Sequence, residues 1–117
     1  MHHMTECLFC KIVAHEIPAT LVAQSETSLA FRDIDLQAPV HVLVVPKIHL
    51  TSADDVSAQH GGVVDELVML AQQVAELEGI RESGYRLVMN VGPDAQMTVP
   101  HLHLHVLGAR KMEWPPG

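Results

Sequence analysis

Three histidines alternate with apolar residues near the end of the chain, in the run Pro100-His101-Leu102-His103-Leu104-His105-Val106-Leu107-Gly108. On an extended strand successive side chains point to opposite faces. The three imidazoles would then project from one face at intervals of about 6.6 to 6.8 Å, while Leu102, Leu104 and Val106 enter the core. A solvated face would be served as well by serine, threonine, lysine or glutamate, so imidazole here points to chemistry. Two chemistries compete. Imidazoles at i and i+2 form a common metal-ligand pair that needs one or two further donors. Alternatively, one neutral imidazole attacks phosphorus, provided one ring nitrogen is fixed as a donor and the other keeps its lone pair. Its neighbours would then donate to phosphate oxygens. His103 is flanked on both sides and is the better nucleophile. No obvious general-base carboxylate accompanies the run, which weighs against a zinc-dependent hydrolase. A third reading, a binding module without turnover, stays open.

The sequence holds nine histidines and two cysteines. His2 and His3 fall in Met1-His2-His3-Met4, read as a start-site remnant or a disordered terminus and left out of the functional argument. His15 and His60 lie among polar residues at element ends and read as surface groups. His41 and His49 join the triad as candidates. Cys7 and Cys10 are spaced C-x-x-C, which in a reducing compartment suits metal or redox use more than a structural disulfide.

The elements that must position these groups follow from periodicity. Apolar residues at 8, 9, 12, 13 and 17 predict a short helix over residues 7–17, stopped by Pro18. Leu21–Gln24 and residues 28–33 read as a hairpin around Ser25-Glu26-Thr27. The β-branched run Val40-His41-Val42-Leu43-Val44-Val45 predicts a buried strand ended by Pro46. Capping residues over 52–56 precede an amphipathic helix carrying Val63, Leu67, Leu70, Val74 and Leu77, with Gly79 as its stop. Residues 85–91 predict a strand, Gly92-Pro93-Asp94 a turn, and the histidine run the last strand. The sum is an α+β domain with a mostly antiparallel sheet.

Composition narrows the function. At 117 residues the chain is one small domain, and 48% hydrophobic against 18% charged residues excludes the disordered class. Fourteen acidic against seven basic residues give a formal charge of -7, without a Lys/Arg run. That argues against nucleic acid as a partner, since duplex binding rests on neutralising many phosphates. A small anionic ligand remains open. No apolar run approaches the ~20 residues needed to span a bilayer, and the polar start carries no signal-peptide core, so no membrane partner and a cytoplasmic setting are expected.

The run His101-Leu102-His103-Leu104-His105-Val106-Leu107 resembles the signature of the histidine triad (HIT) family. The likeness continues through residues 9–18, Ala30-Phe31-Arg32-Asp33-Ile34, Gln37-Ala38-Pro39-Val40-His41, Pro46-Lys47, Gly84-Tyr85-Arg86 and the end Trp114-Pro115-Pro116-Gly117. It covers nearly the whole chain and resembles the Hint branch, the purine nucleoside phosphoramidases. The resemblance implies a single HIT-like domain over residues 5–117. Its fold would be a five-stranded, mostly antiparallel sheet with one long and one short helix. A two-fold homodimer would join two such sheets into one of ten strands. It implies hydrolysis of the P–N bond of purine nucleoside 5′-phosphoramidates through a covalent nucleotidyl-histidine, with no cofactor required for catalysis.

Carried over, His103 is the nucleophile, and His105 and His41 contact the phosphate and leaving group beside His101, the first triad histidine. Asp33 matches the residue that accepts from the ribose hydroxyls. Leu8, Phe9, Ile12, Phe31 and Ile34 match the apolar positions around the purine, and Asn90 and Thr98 the polar ones near ribose and phosphate. Trp114 resembles the tail residue that reaches the neighbouring subunit. The sequence departs from the pattern at Met97, which stands where glutamine is expected, with Gln96 one place early; a thioether cannot donate a hydrogen bond. Cys7 and Cys10 resemble the C-x-x-C of other bacterial triad proteins, where it binds a structural zinc with two histidines, here His49 and His101. Zinc and an ordinary buried cysteine pair both remain open at this point.

Overall fold

The computed structural model describes residues 7–117, so the reading of Met1–Met4 lies outside the described residues. Five strands form one sheet: β1 (Leu21–Gln24), β2 (Ser28–Arg32), β3 (Val40–Pro46), β4 (Tyr85–Val88) and β5 (Leu104–Gly108). Their order is β1-β2-β3-β5-β4, and every neighbouring pair is antiparallel. The helices are α1 (Leu8–Val13) and α2 (Val63–Leu77). This is the expected α+β architecture.

Strand alternation sorts the sheet into two buried faces. Ala30, Val42, Val44, Leu104 and Val106 pack under Leu67, Leu70, Ala71 and Val74 of α2. Leu29, Phe31, Leu43 and Val45 face Phe9 and Ile12 of α1. Because β3 is covered on both sides, its sequence reads as an apolar run interrupted only by His41. Residue parity then puts His41 on the α1 face with Leu43 and Val45. In the β3–β5 register Leu43 opposes His105 and His41 opposes Leu107, which sets His41 and His105 diagonally across the strand pair.

Two expected boundaries are corrected. The first helix does not run to Pro18. The His15 amide bonds to the Ile12 carbonyl and the Glu16 amide to the Lys11 carbonyl, with His15 at φ 61°. That is a Schellman closure with histidine in the left-handed position usually given to glycine. The last strand begins at Leu104, so only His105 of the triad lies within it. Before it the chain is tightly turned, and the His101 amide bonds to the Val99 carbonyl at 2.9 Å. Residues 85–91 likewise yield a strand only to Val88. On α2, Leu77 is exposed at 64% and Ala75, not Leu77, supplies the last buried position.

Alternation survives through the turned segment. Leu102 is 1% exposed in the α2-side core, and its amide donates to the Leu50 carbonyl at 2.6 Å. It fixes the backbone between His101 and His103. Leu102→Ala is therefore expected to lose about 2–5 kcal/mol of stability in urea unfolding. A loss under 1 kcal/mol would mean that the segment is held by other contacts.

Candidate active site and metal centre

The hydrogen-bond pattern around the triad fixes which ring nitrogens carry protons. His103 Nδ1 lies 2.6 Å from the His101 carbonyl, which only accepts, so Nδ1 carries the hydrogen and Nε2 keeps its lone pair. The Gln37 amide donates to His41 Nδ1 at 3.1 Å, so the His41 hydrogen sits on Nε2. From there it reaches His105 Nδ1 at 2.8 Å, with Asp33 Oδ2 at 3.3 Å as a second acceptor. His105 thus accepts at Nδ1 and carries its hydrogen on Nε2. That nitrogen is buried with no hydrogen-bond partner among the described residues. An unpaired buried donor is costly unless something arrives to accept from it.

His103 and His105 are adjacent, with ring centroids 4.9 Å apart. Both line a cleft of about 780 Å³, together with Leu8, Phe9, Ile12, Phe31, Asp33, Ile34 and Thr98. Phe9 stands perpendicular to His103, centroids 5.1 Å apart, and edge-on to Phe31 at 5.4 Å. Leu8 is 43% exposed and Ile34 fully exposed, so these two serve the cleft and not the core. The cleft accordingly offers apolar walls at one end and a lone pair beside an N–H at the other. A hydrophobic ring carrying a phosphoryl group has the matching shape.

Burial keeps the rings neutral. It lowers the His103 pKa from its ordinary value of 6.5, opposed by the bond to the His101 carbonyl and by Asp33. It brings that of His105 down to about 4, helped by His103 and His41. A lowered pKa leaves the neutral form in place at more acid pH. Any reaction that uses the His103 Nε2 lone pair is therefore expected to be level from about pH 8 to the ordinary histidine value and to fall only below it, as that nitrogen is protonated. An acid limb of kcat/KM centred above 6.5 would contradict these surroundings.

Not every residue singled out by sequence reaches the cleft. His101 is fully buried with both ring nitrogens engaged elsewhere, so it meets His103 only through its carbonyl. Asn90 is half-buried beyond β4 and does not line the cleft. Trp114 is 81% exposed and also lies outside it. Gln96 is exposed at φ 62° after the turn Pro93–Ala95, and neither it nor Met97 lines the cleft. Conversely, Thr20, Leu36 and Val99 line it and were not singled out. Leu36 carried a signal, as an apolar residue within the polar turn Asp33-Ile34-Asp35-Leu36.

A second cluster lies behind the triad. The His101 Nε2–H donates to the Pro46 carbonyl at 3.0 Å, leaving Nδ1 as a lone pair. Around that one lone pair stand Cys7 Sγ at 3.3 Å, Cys10 Sγ at 3.4 Å and His49 Nδ1 at 3.2 Å, with Cys10 Sγ also 3.2 Å from His49 Nδ1. One lone pair accepts one hydrogen, whereas a single cation could be held by all four atoms at once. A tetrahedral zinc has N–N and N–S edges of about 3.3 and about 3.5 Å, and the cluster fits. Burial, with Cys7, pushes the Cys10 thiol up to about 12, a value for the metal-free thiol that a bound cation would reverse. Asp33, His41 and His105 also converge. They do not fit a metal, because His41 Nε2 carries a hydrogen where a ligand needs a lone pair.

Comparison with known proteins agrees with this geometry. The family model described as the HIT domain matches residues 14–112. The chain is 43% identical to the purine nucleoside phosphoramidase of Escherichia coli (strain K12), covering 92% of this chain and 90% of that one. It is 46% identical to a 14 kDa zinc-binding protein of Zea mays, over 94% of this chain and 87% of that protein. A HIT family hydrolase from Legionella pneumophila superposes with a TM-score of 0.92 at 48% identity, covering 95% of this chain and 99% of that one.

Proposed function

This chain belongs to the HIT domain family, and from that premise we propose that it hydrolyses the P–N bond of purine nucleoside 5′-phosphoramidates of the AMP-amine or AMP-lysine type. The observation that carries the reading is the pairing of a free lone pair on His103 Nε2 with a free N–H on His105 Nε2 at one cleft. His103 Nε2 attacks the α-phosphorus, the P–N bond breaks, and the amine departs. His105 Nε2–H donates to the phosphoramidate where charge develops and passes its proton to the leaving nitrogen, which departs as the neutral amine. His41 fixes the His105 tautomer and acts through it, and the His101 carbonyl does the same for His103. Water then hydrolyses the nucleotidyl-histidine.

Leu8, Phe9, Ile12, Phe31 and Ile34 take the purine, Asp33 the ribose hydroxyls and Thr98 the phosphate. Asn90 joins the ribose contacts only if its loop moves inward. The reaction needs no cofactor, while Cys7, Cys10, His49 and His101 hold one structural zinc. The family relative named for zinc binding supports that assignment.

The working unit in this reading is a homodimer of domains spanning residues 5–117. Arg86 Nη2 of β4 donates to the Glu113 carbonyl at 3.1 Å, which ties the tail beside an open sheet edge with Trp114 exposed. Pairing two copies there would continue the sheet to ten strands and carry Trp114 toward the partner's cleft. A cytoplasmic setting fits two cysteines that are not joined in a disulfide. No helix among the described residues is long and apolar enough to cross a membrane.

The direct test is release of AMP and ammonia from adenosine 5′-phosphoramidate. Hydrolysis by the zinc-loaded protein supports the reading. Tight AMP binding without turnover of any phosphoramidate would instead favour a zinc-containing nucleotide-binding protein.

A further inference from the structure

We infer that the Cys7–Cys10–His49–His101 cluster is a positioning device for the nucleotide cleft, so that closure around a zinc ion sets both the cleft wall and the His103 lone pair. The inference rests on the nucleotide reading above and on where the four donors sit. Cys7 and Cys10 bracket Leu8 and Phe9, which line the cleft. Cys7 is the N-cap of α1, its Sγ accepting from the Cys10 amide at 3.3 Å. His49 follows β3, and His101 precedes His103 by two residues.

Helix α1 has only six residues, with no acidic group in its first turn. A helix that short does not persist by its own hydrogen bonds. It is held by Phe9 and Ile12 in the core and by the two thiols. Phe9 touches both systems, its ring centroid 5.9 Å from that of His101 and 5.1 Å from that of His103. The second link is the backbone. His101 Nδ1 faces the cluster, and its carbonyl accepts the Nδ1–H of His103. If His101 shifts, the bond that assigns the His103 tautomer among the described residues is lost. His103 is then free to adopt the other neutral tautomer, with its hydrogen on Nε2 and no lone pair there to attack.

Two sites linked through one element affect each other reciprocally. Zinc should tighten AMP binding, and AMP should tighten zinc binding by the same factor.

The test uses His49→Gln, which removes one donor from neither α1 nor the triad and makes zinc occupancy titratable. AMP affinity is measured by calorimetry from stripped to saturated protein, with far-UV circular dichroism confirming that the fold persists. In parallel, ¹⁵N NMR reads the His103 tautomer at fixed pH in stripped and loaded wild-type protein. The expected results are an AMP Kd that improves at least about tenfold with occupancy, and a His103 that moves from mixed tautomers to Nδ1–H alone. An AMP Kd and a His103 tautomer both indifferent to zinc would overturn the inference. Should the loaded protein not bind AMP, the nucleotide reading fails and the NMR arm alone decides: a zinc-dependent tautomer supports the positioning role, and an unchanged one overturns it.

Discussion

Replacing His103 by alanine is expected to lower kcat/KM for adenosine 5′-phosphoramidate by at least about a thousandfold and to abolish any covalent intermediate. The size follows from the absence of a substitute among the described cleft residues. His105 Nε2 carries a hydrogen, and its Nδ1 is occupied by His41 at 2.8 Å. His101 is committed to Pro46 and the cysteine cluster. The substitution leaves a gap beside Phe9 but keeps the apolar walls, so AMP should bind within a few-fold of the parent. A variant that retained even a tenth of the wild-type rate would assign the chemistry to another group. Calorimetric AMP binding distinguishes this outcome from simple misfolding.

The second large effect is expected for His105→Ala, which should reduce kcat by about 10²–10³ with a smaller change in KM. The Nε2–H of His105 is a donor with nothing to bond to until a substrate enters. A donor held ready in that way serves the charge that develops as the P–N bond breaks more than it serves ground-state binding. His103 remains intact, so the nucleotidyl-enzyme should still form, slowly. Single-turnover kinetics separate the two histidines: loss of the intermediate altogether in His105→Ala would show that His105 holds His103 and not the leaving group.

How much of this could be read beforehand depended on the type of interaction. The long helix was legible because Leu67, Leu70 and Val74 repeat at helical spacing, and β3 because a β-branched run between prolines has few other uses. The end of α1 was not, since a histidine in the left-handed position carries no sequence signal of the kind glycine does. The start of β5 differs from the sequence expectation for a related reason. His-x-His-x-His alternates as a strand does, yet the bond from the His101 amide to Val99 turns the chain before Leu104.

The site divides in the same way. The side-chain set of His103, His105, Asp33 and the apolar walls was visible in the residues and in their likeness to the histidine triad family, and these residues line one cleft. The C-x-x-C pair and its two histidines converge as the same likeness implied. What assigns chemistry to each ring was not visible. The partners that fix His41, His101 and His103 are the Gln37 amide and the Pro46 and His101 carbonyls. Backbone groups carry no residue signature, so which ring nitrogen keeps a lone pair and which carries a hydrogen emerges only once the chain is folded. Trp114 and Asn90 lie outside the cleft, Trp114 exposed at 81%.

Attack by His103 on phosphorus is decided by mass spectrometry of protein quenched during turnover of adenosine 5′-phosphoramidate. The expected result is an adduct of one adenylyl group per chain, acid-labile as a phosphoramidate bond to imidazole should be and mapped by peptide fragmentation to His103. Turnover with no adduct at any quench time, or with the adenylyl group on another residue, would contradict it.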